Sequence, residues 1–204
     1  TGKITRAMEL ISTVKMKKAA DLALGARPFA MEASGIFSRV AEEISMSPYI
    51  EGKEKKSKKN SKSLVIVITS NKGLCGAYNI NVFREVLKQT KGIKADCITI
   101  GKKAREFIIR TGHTLVADYS ETFKDDPTPA QVKSISASIR ELYLTGEYSD
   151  VRVIYSFYIS AIAQKAVTRP FLPVSQDTLS AFLEEITGSI ISPLTYSGEY
   201  KIEP

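Results

Sequence analysis

The residues best placed to do chemistry lie in one short stretch, SNKGLCGAYN (Ser70–Asn79), where Gly73 and Gly76 flank Cys75. A glycine loop between a strand and a helix is where α/β proteins bind phosphates, because free backbone N–H groups and the helix dipole both favour an anion. The spacing here is GxxG, which matches neither GxGxxG nor the GxxxxGK(S/T) phosphate loop. No acidic residue ends the second strand to hold a ribose, since Ile100 runs into Gly101 and Lys102. A tight turn that needs glycine backbone angles is the stronger reading, with a nucleotide-binding enzyme as the alternative. Cys75 at a helix N-terminus could act as a thiolate nucleophile, but it needs a base. The one histidine, His113, sits in the turn RTGHT ahead of a strand, whereas Cys75 follows one. Loops at opposite ends of a sheet do not meet, so Cys–His catalysis is not expected and His113 reads as a surface turn residue.

The other reactive types give less. Glu42–Glu43, Asp125–Asp126 and Glu184–Glu185 are adjacent pairs whose side chains point in different directions on a helix, so they read as solvated surface. A lone histidine leaves no multi-histidine metal site, and no residues form a metal cage or a general acid/base pair. Ser70 and Ser156 follow or end strands, but neither stands in a GxSxG elbow. Two cysteines, Cys75 and Cys97, build no disulfide framework and fit a reducing compartment. The residues therefore imply an enzyme's fold without an enzyme's equipment, and a structural or mechanical role.

The elements that must position these residues are legible from periodicity. Lys3 to about Met46 reads as one long helix, with Ile4, Met8, Ile11 and Ala7, Leu10, Val14 in adjacent rows at spacings of three and four. Pro28 should bend it, and Gly25 and Gly35 weaken it locally. Such a helix outreaches any domain built from the remaining residues, so it needs a second long helix to pack on, and none appears in residues 47–204. Ser63–Thr69 is a strand buried on both faces, followed by a helix over Ile80–Thr90. Ala95–Ile100, Thr114–Asp118, Val151–Tyr158 and a short Phe171–Val174 are further strands. Helices fill Lys102–Arg110 and the stretch from Thr128-Pro129, an N-cap and first-turn signature, to about Leu144. Alternation with short connections implies a mostly parallel sheet over 63–175 with helices on both faces. Residues 176–204 form a tail, in which Thr178–Ile186 has a short helical pattern.

Charge is distributed unevenly. The 204 residues carry 29 Lys+Arg against 22 Asp+Glu, a net of +7, and residues 1–62 hold +6 of it. Part sits on the first helix at Lys3, Arg6, Lys15, Lys17, Lys18 and Arg27. The rest is the run EGKEKKSKKNSK, with Lys53, Lys55, Lys56, Lys58, Lys59 and Lys62, which has no apolar residue and reads as a solvated loop at 48–62. No aromatic residue interleaves these lysines, so nucleic acid is not an expected partner. Hydrophobic content of 43% and charged content of 25% fit a soluble globular chain, and no apolar run approaches the ~20 residues of a membrane-crossing helix. The first 20 residues scatter their basic residues through a helical pattern rather than ahead of an apolar block, unlike a signal peptide.

Two motifs carry a family resemblance. KITRAMELISTVKMKKA (Lys3–Ala19) closely resembles the N-terminal helix motif of the gamma subunits of F-type ATP synthases, and ITSNKGLCGAYN (Ile68–Asn79) resembles that family's second signature. VIYSFYIS…Q…RPFLPV (Val153–Val174) is similar to its last core strands. Asn71-Lys72 departs from the Asp-Arg pair common in the family, a change in loop charge. The resemblance implies a long N-terminal helix, spanning 1–47 and forming half of an antiparallel coiled coil, plus a Rossmann-like, mostly parallel α/β domain. It also implies further residues before Thr1 and a long C-terminal helix after Pro204, so the chain is expected to be a fragment of a longer one.

By the same resemblance the subunit is a non-catalytic rotor with no cofactor of its own. It couples proton-driven rotation of a membrane ring to ATP synthesis, and nucleotide and magnesium belong to its partners. Those partners would be the alpha and beta subunits, the epsilon subunit and the ring of c subunits. Implied contacts with the beta subunits are Met8, the basic Lys3, Arg6, Lys15, Lys17 and Lys18, and the loop Lys72, Gly73, Leu74, Cys75 and Gly76. Tyr200 would belong to the foot that meets the membrane ring. The implied location is peripheral, on the cytoplasmic face of a bacterial plasma membrane, with an organellar inner membrane as the alternative. A cysteine switch of the plant type is not expected, since Cys75 has no cysteine near it in sequence.

Overall fold

Lys62–Ile68 (KSLVIVI) has an unbroken apolar run of the kind a central strand needs, and it forms β1, with Leu64 to Val67 all buried. In the computed structural model, which describes residues 2–43, 47–50, 62–93, 95–123 and 127–187 (side chains of 38–43, 176 and 184–187 excepted), β1 is the middle of a five-stranded sheet. Lys53 to Lys59, Asp125–Asp126 and Tyr200 lie outside the described residues, as do the side chains of Glu42, Glu43, Glu184 and Glu185.

The elements run α1 (Gly2–Glu43), β1, α2 (Tyr78–Gln89), β2 (Asp96–Ile100), α3 (Lys102–Thr111), β3 (Thr114–Asp118), α4 (Pro129–Leu144), β4 (Tyr148–Ser160), β5 (Ala163–Leu172) and α5 (Gln176–Thr187). The strand order is β3-β2-β1-β4-β5. β1 pairs in parallel with β2 and β4, and β2 in parallel with β3. Alternation along β1 divides the core. Val65 and Val67 face Val82 and Val86 of α2 and Phe107 and Ile108 of α3. Leu64 and Ile66 face Ile135, Ile139 and Tyr143 of α4. Phe83 and Phe107 stack with ring centroids 4.2 Å apart, tying α2 to α3. α4 begins as its sequence requires: Thr128 accepts from Gln131 N, and Gln131 reaches back to Thr128 N, a capping box ahead of Pro129.

β5 departs from the sequence reading. In place of a short strand at Phe171–Val174, ten residues from Ala163 to Leu172 run antiparallel to β4. The stretch AQKAVTRPFL hides this because an edge strand keeps one side exposed and tolerates lysine, arginine and proline there. β4 also outruns its parallel neighbour. Its last pairing with β1 is Ile154 with Val67, and Tyr155 to Ser160 continue beyond the sheet with β5 alone, as a two-stranded ribbon.

α1 is continuous from Gly2 to Glu43 through Pro28, about 63 Å at ~1.5 Å per residue. Its first 25 residues are exposed, Ala20 aside. Burial begins further along, with Arg27, Ala30 and Met31 half-buried and Ser34 buried. α5 packs against α1, so the helical pattern at Thr178–Ile186 is a helix.

Candidate protein interface

The sheet order reverses between β1 and β4, and open α/β sheets place their ligand crevices beside such a reversal, at the C-terminal ends of the strands. On the other side of β1, at the exit of β2, one helix N-terminus is occupied by the chain itself. α3 has its first three N–H groups taken by the segment after β1. Lys102 N donates to Asn71 Oδ1 at 3.0 Å, Lys103 N to Ser70 O at 3.2 Å, and Ala104 N to Thr69 Oγ1 at 2.7 Å. Gly101 lets the backbones meet: it has φ 108°, and a side chain there would strike Thr69. These contacts close the N-terminus of α3 to an anion and give Thr69, Ser70 and Asn71 a structural task.

The loop that follows is held from below. Asn79, buried in the first turn of α2, accepts from Ser70 N at 3.1 Å and donates through Nδ2 to Ser70 Oγ at 2.8 Å and to Cys75 Sγ at 3.1 Å. Cys75 is half-buried as one of the loop's internal ties. Burial raises the Tyr78 phenol above its ordinary value, with Cys75 beside it adding to the shift. Leu74 points the other way. It is the one non-glycine residue among those described with positive φ (61°), and its side chain is fully exposed. A left-handed leucine costs on the order of 1–2 kcal/mol, so its outward presentation is retained against a backbone penalty. Lys72, Gly73 and Gly76 are exposed beside it.

His113 corrects its sequence reading. It is half-buried at the opposite end of the sheet from Cys75, with Nδ1 accepting from Ala95 N and Nε2 facing Thr90 Oγ1, each at 3.3 Å. Thr90 gives its own hydroxyl proton to Val86 O, so the neutral ring with its proton on Nε2 satisfies all three groups. The residue ties α2 to β2, and glycine-flanked sequence carried no sign of that. Among the described residues, no three His, Cys, Asp or Glu side chains are grouped to hold a metal, and no helix is long and apolar enough to cross a membrane.

The second surface is α1. Ile4, Met8, Leu10, Ile11 and Val14 are between 59% and 69% exposed, an apolar row far larger than scattered surface hydrophobics. Lys3, Arg6, Lys15, Lys17 and Lys18 are exposed on the same stretch. The structure thus groups the loop residues 72–76 beyond the C-terminal end of the central strand and the basic residues and Met8 on the projecting helix. Sequence reasoning missed Arg27 as a contact. Its Nη2 donates to Tyr158 O at 3.0 Å, and its guanidinium carbon lies 5.6 Å from the centroid of the Phe157 ring.

Comparison with known proteins places the chain. A family model described as ATP synthase matches residues 1–204. The ATP synthase gamma chain of Heliobacterium modesticaldum is 33% identical over 177 residues, which are 85% of this chain and 59% of the relative. That of Flavobacterium johnsoniae is 31% identical over 207 residues, covering 100% of this chain and 67% of the relative. This chain therefore spans about three fifths to two thirds of the length of these relatives. Its fold is similar to a chain of the central stalk and c-ring structure of the Tetrahymena thermophila mitochondrial ATP synthase. The TM-score is 0.55 at 20% identity, covering 90% of this chain and 77% of that one. The family model runs through both surfaces described above, and this chain belongs to the ATP synthase gamma-chain family.

Proposed function

We propose that this chain is the central-stalk rotor subunit of an F-type ATP synthase, without a catalytic site of its own. It couples rotation of a membrane ring to ATP synthesis at sites on its partners. The observation that carries this reading is α1, a helix whose apolar row is left exposed by every other described residue of the chain. That is the physical need of a shaft: a stiff rod that gains its cover from a second helix in a coiled coil and from surrounding subunits. The exposed Lys3, Arg6, Lys15, Lys17 and Lys18 suit screened, reversible pairing with acidic surfaces, which lets a rotor pass several similar stations without sticking. Met8 and the loop Lys72, Gly73, Leu74, Cys75 and Gly76 are the proposed contacts with the beta subunits. The epsilon subunit and the c ring are the proposed partners of the foot, where Tyr200 belongs. The complex would sit peripherally on the cytoplasmic face of a bacterial membrane.

The test is assembly. A full-length form of this chain, produced with alpha, beta and epsilon subunits, should co-purify in a complex that hydrolyses ATP and turns a probe fixed to the stalk. A full-length chain that stays apart from alpha and beta overturns the reading. Tight stoichiometric binding of ATP or NAD by the chain alone would favour the nucleotide-binding alternative.

A further inference from the structure

We infer that Arg27 is a positioning residue that locks the projecting helix to the α/β body, so that the two turn as one piece. The inference rests on the rotor reading for its meaning and on the geometry for its substance. Arg27 stands where α1 passes from its exposed length to the half-buried stretch that begins the contact with the body. The same point is the weakest in the helix. Pro28 has no N–H, so the carbonyl of Leu24 lacks its donor four residues on, and Gly25 removes a side chain from the same turn. A rod under torsion yields first where its hydrogen-bond ladder is interrupted.

Arg27 spans that point sideways. It reaches the part of β4 that has outrun β1 and pairs with β5 alone: Nη2 donates to Tyr158 O at 3.0 Å, while the guanidinium lies over Phe157 at 5.6 Å. Two contacts of different kinds, one directional and one facial, fix both the height and the rotation of the helix against the ribbon. A planar guanidinium makes both at once, and an ammonium does not. The ribbon is suited to receive the load, because its other end is continuous with the central sheet through the pairing of Ile154 with Val67.

The experiment uses the full-length subunit, free and in the assembled complex, with spin labels at Ser12→Cys on α1 and Ile162→Cys at the ribbon tip. Both native cysteines are replaced by serine in every sample. In the wild-type background the interlabel distance should be narrowly distributed. Arg27→Ala should broaden it, raising the unanchored population by roughly tenfold, the scale of one lost charge-assisted contact. Arg27→Lys should fall between, and Phe157→Leu, which keeps apolar bulk but removes the ring face, should broaden it less than Arg27→Ala. In membrane vesicles, protons pumped per ATP hydrolysed should fall in the same order. Unchanged distributions in both Arg27→Ala and Phe157→Leu overturn the inference, as does equal broadening by Arg27→Lys and Arg27→Ala. If Arg27→Ala fails to fold, Phe157→Leu and Arg27→Lys carry the test. Failure of the wild-type chain to assemble would instead sink the rotor reading and leave the distance measurement on the free subunit standing.

Discussion

A Cβ on Gly101 would lie 2.2 Å from the carbonyl oxygen of Thr69, and Gly101 holds φ at 108°. The obstacle is backbone on a central strand's exit, which no rotamer change relieves. Gly101→Ala should therefore cost at least about 3 kcal/mol in a denaturant titration, combining overpacking with a forbidden backbone angle. Gly112→Ala, at φ 75° with open space around it, carries the angle without the clash and should cost only about 1–2 kcal/mol. Equal losses at the two sites would show that the close approach of the β1 and β2 exits is not what the glycine serves.

Asn79→Ala should free the loop without unfolding the sheet. It strands the Ser70 N–H and removes the donor to Cys75 Sγ, a loss of about 2 kcal/mol. Cys75 should then react with a maleimide roughly tenfold faster, since its protection is that local network. Cys97 is fully buried in the core and should stay unreactive under the same conditions.

Alkali should expose a different weakness. Burial pushes Tyr148 up to about 12, helped by the Asp96 carboxylate beside it, and burial chiefly pushes Cys97 up to about 12 as well. Both groups are held protonated in the fold, so their contribution is whole below their ordinary values of 10.0 and 9.0 and is lost as pH climbs towards 12. Tyr148→Phe breaks the hydroxyl bond to Asp96, 3.2 Å long, and should cost about 1 kcal/mol at pH 8. Its stability should then decline less steeply than wild type between pH 10 and 12, read by circular dichroism; an identical slope would remove Tyr148 from the account.

Acid tests Asp118 with the opposite sign. Burial works against its charge, but hydrogen bonds from Thr99 and Ser120, with Arg105 nearby, hold its carboxyl below the usual value. The stability this supplies is present above the ordinary carboxylate value and is lost as pH falls through the lowered one. Asp118→Asn should reduce stability at pH 7 by about 1–2 kcal/mol and flatten the acid limb of the unfolding profile. An unaltered acid limb would count against it.

Charge on the projecting helix should tune assembly rather than folding. Changing Lys15, Lys17 and Lys18 together to Gln should leave the melting temperature of the free subunit within a few degrees. Association with alpha and beta subunits should become less sensitive to salt, because fewer screened pairs form. Unchanged salt dependence would move the contact away from these residues.

Most of the sheet could be read from residue order because buried parallel strands advertise themselves: SLVIVIT and ADCITI have no other comfortable place. α4 was legible from Thr128-Pro129 to about Leu144 because an N-cap and the proline after it act locally and need no tertiary partner, and the structure adds Gln131 to that cap. β5 was not, since its identity as a strand depends on β4 lying beside it rather than on its own alternation. The surfaces show the same split. The loop at Gly73–Gly76 could be located from its glycines, but the inward turn of Cys75 and the outward turn of Leu74 depend on Asn79, whose burial is a tertiary fact. Arg27 was invisible as a contact, because a basic residue on a long exposed helix looks like all the others until the ribbon is seen beneath it.

The placing of β1 between β2 and β4 also sets the order in which the chain can become a fold. Ser63 of β1 bonds Asp150 of β4 across 87 positions, whereas the β4–β5 ribbon joins residues that are neighbours in sequence. At ~5–20 residues per second, a ribosome needs several seconds to deliver the partner for that edge of β1. Over that interval α1, with its uncovered apolar row, and the open edge of β1 are already outside together. Among the strands, β1 thus waits longest for its second neighbour, and slowing synthesis between α3 and β4 should lower the soluble yield before it alters any property of the finished subunit.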